Sequence, residues 1–121
     1  MSRLGRVTLK RHADYDNGIF WKLSIGFDTS DGIDILESTG YTAIGSAEGR
    51  DAYESLRISL EAVPRLGKVL GIQERDVESV HAALVDYARH CKVGRLGAAA
   101  AMLDELGIRY EKRFTVWRDW D

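Results

Sequence analysis

One cysteine, Cys91, and one proline, Pro64, are all that the 121 residues contain of either kind. A lone cysteine excludes an internal disulfide and fits a reducing compartment, so a cytoplasmic location is expected. Long apolar runs are missing too. The longest, Ala98 to Leu103, is far short of the roughly 18 residues a membrane span needs, and no membrane partner is expected. Arg3, Arg6, Lys10 and Arg11 interrupt every apolar segment near the N-terminus, which argues against a signal peptide. Nor does either sign of charge dominate: 17 basic and 19 acidic side chains leave a formal net charge of -2, spread evenly along the chain. A nucleic-acid binder would therefore depend on a local patch, without help from net charge.

What the chain does contain suits one α+β domain. The hydrophobic fraction of 45% and the charged fraction of 30% match a globular protein and exclude a disordered one. No internal repeat, low-complexity segment or linker interrupts it. Residues 6–41 read as a three-stranded antiparallel meander. Ile19, Trp21, Leu23, Ile25 and Phe27 alternate with Lys22, Ser24 and Gly26, the pattern of a half-buried central strand. A three-residue loop, Asp16-Asn17-Gly18, would pair Leu9 with Ile25 and Val7 with Phe27, keep both apolar sets on one face and put Gly18 at positive φ. Ser30-Asp31-Gly32 would repeat the device and pair Phe27 with Ile35 and Trp21 with Tyr41.

Downstream, the spacing predicts a long helix from Ser46 to Val63. Ala52, Tyr53, Leu56, Leu60 and Val63 form its apolar stripe, Ser46 its N-cap and Pro64 its end. A short helical turn would follow through Val69 and Leu70 and stop at Gly71. A second long helix over 74–92 would end near Gly94. A third, from about Gly97 to Leu106, would end at Gly107, with Ile108 as the apolar contact of its cap. Ile108, Tyr110, Phe114 and Val116 then alternate as a last strand. The expected fold is a three-stranded meander plus a C-terminal strand, with three to four helices on one sheet face.

Catalytic chemistry has little to draw on. Cys91 and several serines are the nucleophile candidates, and His12, His81 and His90 the base candidates. His90 and Cys91 are neighbours that point about 100° apart on a helix, so they do not form a dyad by themselves. Asp86 and His90 stand one turn apart and read as a surface pair. Cys91 reads as a small core residue. No C-x-x-C or H-x-x-x-H spacing occurs. No catalytic residue, metal or cofactor is assigned.

Two binding patterns remain. Arg89, Lys92 and Arg95 form an acid-free basic cluster around Gly94-Arg95-Leu96-Gly97. Over Val93 to Tyr110 the helix–GxxG–helix–strand order is similar to the core of a KH domain, which would imply backbone clamping of single-stranded nucleic acid. In a chain with 12 glycines a chance GxxG is expected about once, and two helix caps explain it as well. The other pattern is on the sheet. If helices cover the Ile19/Trp21 face, the opposite face shows Phe20, Lys22, Ser24, Leu36, Thr115 and Trp117, with Phe20, Lys22, Leu36, Thr115 and Trp117 as the candidate interface. The leading expectation is a non-enzymatic domain that binds a protein partner, or itself, through that face or an edge strand. Small inhibitors, immunity proteins and adaptors of bacterial or phage type have this character. Nucleic-acid binding at Arg89, Lys92 and Arg95 is the alternative.

Overall fold

The computed structural model describes residues 2–14, 18–42 and 49–118; for residues 14, 41, 42, 49–51 and 115–118 it describes the backbone alone. The chain folds as an α+β domain with a five-stranded antiparallel sheet and three α-helices. Four strands run in succession: β1 (Leu4–Asp14), β2 (Ile19–Asp28), β3 (Gly32–Thr42) and β4 (Gly49–Ser59). A 3-10 turn (Leu60–Ala62) leads into α1 (Val63–Val69), α2 (Val77–His90) and α3 (Leu96–Leu106). The chain then returns as β5 (Glu111–Arg118) beside β4, giving the spatial order β1-β2-β3-β4-β5.

The long helix expected over Ser46 to Val63 is not formed; most of that stretch is β4. Residues 52–63 satisfy two periods at once. Ala52, Leu56, Leu60 and Val63 fit a helical stripe, whereas Leu56 and Ile58 fit strand alternation. Pairing decides between them. As a strand the segment matches β3 over eleven residue pairs without a break and buries both Leu56 and Ile58. A helical stripe leaves Ile58 outside and needs Leu60 inside, yet Leu60 is 39% exposed. Pro64 sits in the first turn of α1, where its missing N–H costs nothing, so it opens a helix instead of closing one. The expected cap Ser46 lies outside the described residues.

The two hairpins keep the expected faces in registers shifted by two residues. Val7 lies opposite Ile25 in place of Phe27, and Phe27 lies opposite Ile33 in place of Ile35. In the first hairpin the cause is compound. Asp14 pairs with Ile19, so the loop is one residue longer than expected, which alone would turn every β1 side chain to the wrong face. A β-bulge between Thr8 and Lys10 absorbs the extra residue and returns Val7 and Leu9 to the core. Gly18 has the expected positive φ, at 65°; Asp16 and Asn17 lie outside the described residues. In the second hairpin the turn starts one residue early. The Asp28 carboxylate accepts from the Ser30 amide and hydroxyl at 2.9 and 2.6 Å, and the Asp31 amide closes back on the Asp28 carbonyl at 3.0 Å.

By register, Leu23, Ile25, Ile33, Ile35, Leu56 and Ile58 share one face of the sheet, and all are buried. Onto them pack Val63 and Leu66 of α1, Val80, Leu84 and Ala88 of α2, and Ala99 and Leu103 of α3. Asp76 caps α2 by accepting from the Ser79 amide at 3.0 Å, which starts that helix three residues later than expected. The α2 end also differs. Lys92, not Gly94, takes the left-handed conformation, at φ 56°, and the Lys92 and Val93 amides close a Schellman cap on Arg89 and Ala88. The other two helix ends follow expectation. Gly71 and Gly107 have positive φ, and Ile108 is buried beside the α3 cap.

Candidate functional site

Because the buried strand residues share one face, the alternate residues form the other, and no helix covers it among the described residues. Reading across the strands, one row runs Arg6, Gly26, Asp34, Arg57, Glu111. The next is Thr8, Ser24, Leu36, Ser55, Arg113; then Arg11, Lys22, Ser38, Tyr53, Thr115; and last Ala13, Phe20, Gly40, Asp51, Trp117. All five expected interface residues thus occupy outer-face positions. For Thr115 and Trp117 this rests on backbone register, since their side chains lie outside the description.

Glycines shape this face. Gly26 leaves room for the Arg6 side chain to lie across the sheet, where its guanidinium donates to the Ser24 hydroxyl at 2.9 Å and to Asp34 at 2.6 Å. Ser24 is thereby fully buried yet hydrogen-bonded. Gly40 does the same for Phe20, whose ring occupies the space a Cβ would take and remains 43% exposed. Arg57 pairs with Asp31 and Arg113 with Glu111, so the lower half of the face is a mosaic of neutralised charges. Leu36, Tyr53 and Ser55 lie between these pairs in a shallow groove of about 550 Å³. Towards Phe20 the face carries Arg11 and Lys22, which have no ion pair among the described residues.

The basic turn is built differently. Arg89 and Lys92 are exposed, but Arg95 is held. Its guanidinium grips the Glu37 carboxylate at 3.0 and 3.1 Å and lies 4.5 Å from the Trp21 ring centre. Glu37, on the core side of β3, also accepts from the Leu96 amide at 2.9 Å and so caps α3 from a neighbouring element. The Arg95 hydrogen bonds, joined by the Leu96 amide, hold the Glu37 carboxyl below the usual range against the opposing effect of burial. Two of the three expected cations therefore face solvent while the third is a structural pin. The Glu37–Arg95–Trp21 arrangement escaped sequence reading because its members are far apart in the chain.

The candidate catalytic groups are dispersed. His81 is buried and its Nε2–H donates to the Ile25 carbonyl at 2.8 Å, beside the Phe27 ring at 4.8 Å, so it bolts α2 to β2. His12 stacks on Trp21 with ring centres 5.5 Å apart. Cys91 is exposed, contrary to the core position expected, because α2 ends with Cys91 as its C-cap and the turn carries it past the buried stripe. No hydrogen bond or ion pair joins Asp86 to His90 among the described residues, nor does any group of three or more His, Cys, Asp or Glu gather there as metal ligands would. No described helix is long and apolar enough to cross a membrane. In comparisons with known proteins, no family model, no curated protein and no solved structure matches the chain.

Proposed function

We propose that the protein is a small non-enzymatic interaction domain that binds a protein partner through the outer face of its sheet. The observation that carries this reading is the one-sided packing of the helices, which leaves an open face with Phe20 43% exposed at one end and Leu36 and Tyr53 further along it. Isolated domains seldom display an apolar and aromatic patch among polar groups without use. The charge pattern supports a protein partner over a polyanion. Arg6, Arg57 and Arg113 are each neutralised in the plane of the sheet, and the Arg95 of the basic turn is engaged with Glu37. Of the outer-face cations only Arg11 and Lys22 stay without an ion pair among the described residues, and of the basic turn only Arg89 and Lys92.

Association measured against salt, with two sets of substitutions, tests the reading. A partner held by buried aromatics should bind with weak salt dependence, survive Arg89→Ala/Lys92→Ala, and weaken sharply on Phe20→Ala or Trp117→Ala. Nucleic acid at the basic turn would behave otherwise: each phosphate contact contributes a log–log salt slope of about -0.9 on duplex DNA. Tight DNA or RNA binding at physiological salt, abolished by the Arg89/Lys92 pair of substitutions, would overturn the proposal.

A further inference from the structure

The sheet has two edges, and they are built differently. β1 carries the bulge at Leu9, which breaks the hydrogen-bonding run and is a common way of blunting an edge. β5 pairs with β4 over eight consecutive residues, Glu111 to Arg118, with no register shift. Its other side meets no strand among the described residues. A straight row of backbone donors and acceptors is a template for one more strand. Three successive charges, Glu111, Lys112 and Arg113, would ordinarily discourage such pairing. Here each is neutralised within the chain: Lys112 pairs with Glu54 at 2.9 Å and Arg113 with Glu111 at 3.2 Å. At the middle of the strand Phe114 stands opposite Glu54 on the helix side and is 65% exposed. α3 lies against β3 and β4, so the helix layer leaves this ring uncovered.

From this we infer that β5 is a self-association edge: two copies pair their β5 strands antiparallel about a two-fold axis at Phe114. The occupant is a second copy because the strand can pair with itself over most of its length without opposing like charges. A two-fold axis perpendicular to the sheet sets a residue opposite its own symmetry mate. Centred on Phe114, it places ring against ring, Lys112 opposite position 116 and Arg113 opposite position 115 of the other copy. Centred on Arg113, it sets two guanidinium groups face to face. Centred on Thr115, it sets Lys112 against Arg118 twice. Like charges directly opposite are destabilising, and centring on Val116 pairs only positions 114 to 118 of the strand, so the Phe114 register, which pairs positions 111 to 117, wins. The product is a continuous ten-stranded sheet with both helix layers on the same side. This surface is separate from the outer face, which stays open in the dimer.

Sedimentation of the full chain over a wide concentration range should show a species of twice the 13.6 kDa chain mass. Phe114→Lys sets two ammonium groups across the axis and should raise the dimer dissociation constant on the order of 30-fold or more, the weight of a central hot spot. Its circular dichroism should be unchanged, because the side chain is exposed in the single copy. The register has its own readout. In a Cys91→Ser background, Phe114→Cys should cross-link between copies under copper–phenanthroline oxidation, since directly opposed strand residues lie within disulfide range. Glu111→Cys should not, being about 20 Å from its mate in this register. A monomer at every concentration would overturn the inference. So would a dimer that withstands Phe114→Lys and cross-links no faster at position 114 than at 111. A dimer broken by Phe20→Lys alone would move self-association to the outer face, refuting the edge while leaving the proposed function standing.

Discussion

Single residues fix the geometry at places where no neighbour can compensate. Gly32 has φ 124°, and a Cβ there would run into the Ile58 carbonyl. Gly71 has φ 80° with open space around it. Gly71→Ala should therefore cost about 1 kcal/mol, for conformation alone, and Gly32→Ala clearly more, compared by urea denaturation. Lys92 is the reverse case, a residue with a side chain in the left-handed region. Lys92→Gly should stabilise the protein by about 1 kcal/mol. Glu37 carries a pH signature. Its carboxyl titrates below the ordinary 4.5 in the folded state, chiefly through Arg95. The stabilisation is thus complete above the unfolded value and is lost as pH falls through the lower folded one. Glu37→Gln should lower stability by about 1–3 kcal/mol at neutral pH, and the difference from wild type should shrink in acid. A gap that widens below pH 4.5 would contradict the assigned cause. Gly71 was legible in the sequence as a helix end, whereas the role of Glu37 was not, because its partners Arg95 and Leu96 are remote in the chain.

At the scale of elements, the strand over residues 49–59 and the helix imagined in its place make opposite demands on two leucines. Leu56 is fully buried and Leu60 is 39% exposed. Leu56→Ala should cost roughly 2–5 kcal/mol, whereas Leu60→Ala should cost under about 1 kcal/mol. Equal losses at both would favour the helical stripe. The misreading has a physical origin: Ala52, Leu56, Leu60 and Val63 carry a genuine helical period, and only pairing with β3 selects the other one. Elements with a single dominant period were readable. The strict alternation of β2 revealed its faces, and Gly71 and Gly107 revealed two helix ends. Register was not readable to the residue, because a bulge at Leu9 and the Asp28 side chain each move the pairing without changing which side chains face the core.

For the whole molecule, the one-sided helix layer is the feature from which the functional reading grows. Face parity placed Phe20, Lys22, Leu36, Thr115 and Trp117 together, since a period of two survives a register shift of two. The identity of what binds there has no such period in the sequence. The pins that consolidate the opposite side, His81 on the Ile25 carbonyl and Arg95 on Glu37, make the helix layer a fixed support for the sheet. Binding at the outer face should therefore leave the backbone of β2 to β4 largely in place, as in most preorganised complexes. Site-specific photo-crosslinking in living cells of the native host tests the outer-face assignment most directly, with a benzophenone side chain placed in turn at positions 20, 36 and 89. Discrete protein adducts should form from positions 20 and 36 and be absent from position 89. Adducts confined to position 89, or nucleic acid captured there with nothing at 20 or 36, would contradict it.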